Sequence, residues 1–176
     1  MNVPNSITVV RVFMVPVFVA LSYKDSTASA VWAFVVFLTA SLSDFLDGYL
    51  ARRNGTESRL GQFLDPLADK LLVGAALVVL VDTRAFPLWA AIVIAAREIA
   101  VQLLRTSIVQ RGGTLPASPA AKLKTMIQIL MVGWWLLPWS EVNVGHWALL
   151  ASVLVTTLWS GYEYFAHAGR IKEAAH

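Results

Sequence analysis

Cysteine is absent from this chain, which excludes a disulfide-stapled scaffold and a zinc–thiolate centre. Charge is scarce as well. Asp, Glu, Lys and Arg make up 14% of the residues, against roughly a quarter in a soluble domain. Hydrophobic residues reach 57% and the mean hydropathy is +0.64. So few charges could not cover the apolar surface that 176 residues would leave exposed in water, and the solvent is read as lipid. The same apolar content excludes disorder. No basic block with interleaved aromatics is present, so the net charge of +3 is assigned to membrane topology, and nucleic acid is not an expected partner.

What the chain has in abundance is long apolar sequence. Six stretches, residues 7–21, 28–50, 60–81, 86–109, 118–138 and 146–166, alternate with short polar connections. All but the first are long enough to cross about 30 Å of hydrocarbon at 1.5 Å per residue. The first contains Pro16 and is read as a kinked, retained helix, because residues 1–6 carry no Lys or Arg and no A-x-A cleavage site follows. No internal repeat and no room for a soluble domain are visible. The expected fold is an all-α integral membrane protein, a six-transmembrane-helix bundle forming a single domain over residues 1–176.

Basic residues set the expected orientation. Arg52, Arg53, Arg59, Arg111, Lys122, Lys124, Arg170 and Lys172 fall on one side, and only Lys24 and Arg84 on the other. Both termini are therefore expected in the cytoplasm. Trp32, Trp89, Trp134, Trp135, Trp139 and Trp147 stand near predicted helix ends and fit an interfacial aromatic belt. The histidines, His146, His167 and His176, have no ligand spacing and are read as interfacial or tail residues.

Against this apolar background, carboxylates at the ends of the second and third helices stand out. From Ser43 the sequence runs SDFLDGYLARRNGTESRLGQFLDPLADK. At about 100° per residue, Asp44, Asp47, Gly48 and Ala51 share one face of the second helix, and Gly61, Asp65, Ala68 and Asp69 share one face of the third. Charge at membrane depth is costly and usually faces a cavity. Four carboxylates brought together by a tight hairpin cannot all stay ionised without compensation, and oxygen-only donors suit Mg²⁺ or Mn²⁺. Gly48, Ala51 and Gly61 leave backbone open to close approach, and Arg52 stands beside them to engage a phosphate. The combination describes a site for a pyrophosphate-linked nucleotide.

The run Asp44-x2-Asp47-Gly48-x2-Ala51-Arg52-x8-Gly61-x3-Asp65-x3-Asp69 resembles, at every fixed position and spacing, the signature of the CDP-alcohol phosphotransferases. The resemblance implies transfer of a phosphatidyl or similar group from a CDP-linked donor to an alcohol, with release of CMP. It implies that Asp44, Asp47 and Asp65 hold two divalent cations, that Asp69 shares one of them and is the general base, and that Gly48, Ala51, Arg52 and Gly61 shape the pocket for the CDP moiety. It also implies a homodimer in the bacterial cytoplasmic membrane, multi-pass, with the active site facing the cytoplasm.

Features elsewhere resemble the family members whose donor is CDP-diacylglycerol and whose acceptor is sn-glycerol 3-phosphate. These are the segment from Asn5 through Thr8 to Arg11, the pair Arg97-Glu98, and the run Ala121-Lys122-Leu123-Lys124-Thr125. Ala121 departs from the glycine often found there. A dianionic acceptor needs cations beyond the metals, and Thr8, Arg11, Arg105, Arg111, Lys122 and Lys124 are the candidates for its phosphate. Glu98, Gln102 and Arg105 form an i, i+4, i+7 stripe expected to face inward, whereas Lys122 and Lys124 lie about 200° apart and cannot both do so on a regular helix. Arg97 and Glu98 alternatively pair with each other. Acceptors such as inositol phosphate or phosphatidylglycerol would keep the same chemistry. A divalent-cation transporter is the alternative of another class, but it would place acids at the midplane or on both sides, and the far loops hold only Asp25, Asp82 and Glu141.

Overall fold

The computed structural model describes the backbone of residues 3–54, 59–110, 118–138 and 141–173, and the side chains of residues 10–43, 68, 70–110, 118–138 and 141–169. Among these residues the chain is all-helical, with six helices and no strand: α1 (Val3–Ser22), α2 (Thr27–Asn54), α3 (Arg59–Thr83), α4 (Leu88–Gln110), α5 (Pro119–Leu136) and α6 (Val144–Glu173). Each coincides with one of the apolar stretches.

Helix starts follow local chemistry. Pro119 opens α5 directly after Ser118, whose hydroxyl accepts the Ala121 N–H at 3.2 Å; proline suits the first helical position and serine the cap. Asn143 caps α6 in the same way, its side-chain oxygen accepting the Gly145 N–H at 2.9 Å. The His146 ring returns to this turn and accepts the Asn143 N–H at 3.2 Å. His146, expected at the interface, is therefore buried, because its ring serves as a capping partner.

The helices form two compact units. The first comprises Met1–Phe86 and Val132–Glu141, with α1 packed on α2 and α3. Phe18 meets Phe37 with ring centroids 5.9 Å apart. Near the end of α5, Gly133 allows close approach: a Cβ there would lie 3.2 Å from the Phe34 ring. Trp135 packs edge-on to Phe86 at 5.1 Å, so this tryptophan is core and not part of an interfacial belt. Trp32, Trp89, Trp134 and Trp147 are exposed, and Trp139 lies outside the described residues. The second unit comprises Pro87–Met131 and Val142–His176, in which α4 packs on α6.

Large apolar side chains also cover the outside, among them Phe13, Leu42, Val78, Ile99, Leu103, Leu130, Val155 and Trp159. Val144–Gly169 of α6, 26 residues with mean hydropathy 1.3, is the one described stretch long and apolar enough to cross a membrane by that criterion. Shorter apolar runs occupy Val10–Ser22 and Thr27–Ser43. Arg97, Glu98 and Arg105 interrupt the apolar run of α4, and α5 carries two lysines near its start.

At the α3–α4 connection the chain turns through Ala85, whose φ of 52° lies in the left-handed region. This lets the Phe86 N–H reach the Leu80 carbonyl at 3.2 Å and sends the Phe86 ring into the core. Beside this turn lies an open cleft of about 530 Å³, lined by the α1–α2 connection and by Asp82, Thr83 and Arg84. There the Tyr23 hydroxyl donates to the Asp82 carboxylate, which raises the phenol pKa above its ordinary value; partial burial and repulsion between the two anions add to the effect.

Two outcomes follow. Ala85→Val should lower stability in detergent by about 1 kcal/mol or more, since β-branched residues are strained at positive φ, whereas Ala85→Gly should not; thermal unfolding measures both. The Tyr23–Asp82 hydrogen bond holds below the raised phenol pKa and is lost as pH rises through it. Asp82→Asn should therefore bring tyrosinate absorbance from Tyr23 to lower pH, read as the difference from Tyr23→Phe across the alkaline range.

Candidate active site

α2 ends at Asn54 and α3 begins at Arg59, so the two helices are joined by a short connection and pack as neighbours. The buried positions of α2 are Ala30, Ala33, Phe37, Ala40 and Ser41, with Trp32, Val35 and Leu42 exposed on other faces. Ser41 remains compatible with an apolar interior because its hydroxyl donates to the Phe37 carbonyl at 2.9 Å. Helical register continues this buried stripe through positions 44, 47, 48 and 51, three or four residues at a time.

The same holds on α3. Ala68, Leu72 and Ala76 are buried, Ala68 with 0% exposure, while Leu71 and Val78 face outward. Stepping back by three or seven residues from Ala68, Leu72 and Ala76 reaches positions 61, 65 and 69. The acidic positions of both helices thus share the helical register of the described buried residues nearest to them in sequence. The side chains of Asp44, Asp47, Gly48, Ala51, Arg52, Gly61, Asp65 and Asp69 lie outside the described ones. Among the described residues, no three His, Cys, Asp or Glu side chains come together as a metal site. A divalent cation fits the acidic positions for a physical reason: carboxylates on a buried register need compensating positive charge, and oxygen donors suit hard cations.

The acceptor candidates divide. Arg11 on α1 is buried, with 2% exposure. Thr8 lies on α1 with its side chain outside the described ones, and Arg111 lies outside the described residues altogether. On α4, burial fades along the expected inward stripe: Glu98 is buried, Gln102 half-buried and Arg105 exposed. At this end of α4 the packed positions are Val101, Leu104 and Ile108, which join Tyr164 in a small core, and Arg105 lies off that face. Inward placement of Arg105 is therefore corrected. Lys122 is exposed and Lys124 buried, as their spacing on one helix requires.

Lys124 forms a buried ion pair with Oε1 of Glu98. Arg97 donates from Nη1 to the same oxygen at 3.3 Å and from Nη2 to Oγ of Ser160 at 2.7 Å, and it stands 5.9 Å over the ring of Tyr164. The α6 members of this network are absent from the sequence reading. Their signal was a polar pair, Ser160 and Tyr164, at i and i+4 on an apolar helix.

Comparison with known proteins agrees with this geometry. Residues 1–159 match the family model described as CDP-alcohol phosphatidyltransferase. The chain is 39% identical over 173 residues to a Mycobacterium tuberculosis (strain H37Rv) protein named "Probable phosphatidylglycerophosphate synthase", covering 96% of this chain and 82% of that one. It is 36% identical over 182 residues to the CDP-diacylglycerol–glycerol-3-phosphate 3-phosphatidyltransferase of Bacillus subtilis (strain 168), covering 94% of each. A protein of the same name from Escherichia coli (strain K12) is 36% identical over 173 residues, 95% of this chain and 94% of that one. With motif, helical register and family model in agreement, the chain belongs to the CDP-alcohol phosphatidyltransferase family.

Proposed function

We propose that this protein transfers the phosphatidyl group of CDP-diacylglycerol to sn-glycerol 3-phosphate, giving phosphatidylglycerophosphate and CMP in phospholipid biosynthesis. The observation that carries the reading is the register of α2 and α3, in which the described buried stripes continue through seven of the eight motif positions. The names of relatives that match nearly the full chain support the choice of substrates.

In this reading Asp44, Asp47, Asp65 and Asp69 hold two divalent cations, Mg²⁺ or Mn²⁺. When bound, such ions neutralise the donor pyrophosphate and the departing phosphate. Gly48, Ala51 and Gly61 give the CDP moiety access to backbone, and Arg52 contributes a charge-assisted hydrogen bond. Asp69 takes the proton from the acceptor hydroxyl as its oxygen forms a bond to the phosphorus bearing diacylglycerol. The anhydride P–O bond breaks, and its electron pair leaves with CMP. Thr8, Arg11, Arg105, Arg111, Lys122 and Lys124 are the candidates for contact with the acceptor phosphate.

The apolar exterior and the charge asymmetry support a six-span domain over residues 1–176 in the bacterial cytoplasmic membrane. Both termini and the acidic ends of α2 and α3 then face the cytoplasm. Family resemblance supports a homodimer.

Purified protein given CDP-diacylglycerol should release CMP with glycerol 3-phosphate, and not with inositol phosphate or phosphatidylglycerol. Asp69→Asn should lower kcat by about 10²–10⁴-fold, the usual contribution of a general base. Asn at Asp44, Asp47 or Asp65, or excess EDTA, should abolish turnover. Release with inositol phosphate alone would overturn the acceptor assignment, and undiminished release in EDTA would overturn the metal-dependent reaction.

A further inference from the structure

We infer that Arg11 is the built-in countercharge of the acidic motif and a positioning residue for the reaction: its guanidinium pairs with the Asp44 carboxylate and fixes it in place. The inference rests on the proposed reading, in which Asp44 is one of the groups that hold the divalent cations.

The first observation is a register between α1 and α2, two helices of the same unit. Among the described positions of α1 only Arg11 and Phe18 are buried, with 2% and 0% exposure. Seven residues, two turns of helix, separate them, so they share one face. α1 stays helical across this interval, through Pro16, and packs on α2. Phe18 marks a level at which the two helices meet, because its ring lies 5.9 Å from that of Phe37. α1 ends at Ser22 and α2 begins at Thr27, so the short connection makes them antiparallel neighbours. Going back from Phe18 to Arg11 and forward from Phe37 to position 44 are therefore equal steps of about 10 Å in the same direction, and each keeps its face. The backbone at position 44 thus stands opposite Arg11 as that of Phe37 stands opposite Phe18.

Charge balance leads to the same pair. A packed apolar interior gives a guanidinium no solvation, so a buried one needs an anion beside it. Arg11 is the one buried cation among the described residues of the first unit. The described acids of that unit, Asp25, Asp82 and Glu141, are all exposed. Asp25 and Asp82 line the cleft where α2 begins and α3 ends, about three turns of α1 away from Arg11. The acidic motif occupies the other end of α2 and α3, and position 44 is its first member.

Such a pair has a chemical use. An ionised carboxylate offers about four acceptor sites, so Asp44 can accept from a guanidinium and keep lone pairs for a metal ion. A group that hydrogen-bonds a metal ligand fixes that ligand's orientation, and its loss commonly costs about 10–100-fold in metal affinity or activity. Arginine suits the place because its planar, permanently charged fork matches a carboxylate. Arg11 then acts through Asp44, which sets it apart from the other candidates for the acceptor phosphate.

A double-mutant cycle on the full chain, read by thermal unfolding in detergent with EDTA, tests the pair independently of turnover. Arg11→Gln should lower the unfolding temperature. Asp44→Asn should raise it by several degrees more in Arg11→Gln protein than in the parent, because it removes a carboxylate left without its countercharge. Asp82→Asn should show no such coupling. Equal effects of Asp44→Asn in the two backgrounds would overturn the inference. Should Arg11→Gln alone yield no folded protein, recovery of folded protein on adding Asp44→Asn supports the pair, and failure to recover it overturns the pair.

The CMP-release assay separates positioning from contact with substrate. At saturating Mg²⁺, Arg11→Gln should lower kcat about 10–100-fold and leave the KM values for glycerol 3-phosphate and CDP-diacylglycerol within about twofold. Arg11→Lys, which keeps the charge, should recover part of that kcat. A raised KM for glycerol 3-phosphate at unchanged kcat would place Arg11 on the acceptor and overturn the inference. Wild-type protein that releases no CMP with glycerol 3-phosphate would overturn the proposed function instead, and the unfolding cycle would still decide whether Arg11 and Asp44 are paired.

Discussion

Every charge placed within an apolar helix bundle needs a partner, and that requirement organises the protein. Lipid offers neither the dielectric nor the hydrogen bonds to hold an isolated carboxylate or ammonium, so each one must be neutralised where it stands. In the second unit two cations gather on one carboxylate. Glu98 accepts from Lys124 and Arg97, and Arg97 continues to Ser160. In the first unit the interior stripes of α2 and α3 lead into four acidic positions, and on the proposed reading divalent cations and a nucleotide diphosphate complete the neutralisation. On that reading the same constraint underlies an ion-pair network in one unit and a metal-dependent centre in the other.

The small residues of the motif fit that constraint. A cation between two helices is useful only if the substrate can reach it, and the interior face must then remain narrow. Gly48, Ala51 and Gly61 continue the pattern of Ala33, Ala40, Ala68 and Ala76 deeper in the same stripes. Alanine in the packed region permits close helix approach, and the same size near the acids leaves backbone open to a ligand.

All six helices were legible in the sequence, because a long apolar run shielded from water must satisfy its own backbone hydrogen bonds. Their ends were less legible. α2 continues to Asn54 and α6 to Glu173, where polar residues extend the helix past the apolar run and hydropathy gives no sign of it. The motif residues were legible by spacing alone. Tertiary partners were not: Trp135 and His146 look interfacial by type and position, and only packing against Phe86 and the capping turn at Asn143 explains their burial. The stripe from Glu98 to Arg105 was right at Glu98 and wrong at Arg105, since register specifies a face but not where neighbouring helices cover it. The separation of Lys122 from Lys124 was legible from helix geometry; which of them is buried was not, because the partner of Lys124, Glu98, stands on another helix.

The central claim is that four aspartates on two helices gather a pair of divalent cations. Electron paramagnetic resonance of Mn²⁺ bound in the presence of CDP-diacylglycerol tests it most directly. The account predicts two Mn²⁺ per chain with the spin coupling expected of ions about 3.5–4 Å apart, and loss of that coupling in Asp65→Asn. A single uncoupled ion in the unaltered protein, or an unchanged coupled spectrum in Asp65→Asn, would contradict it.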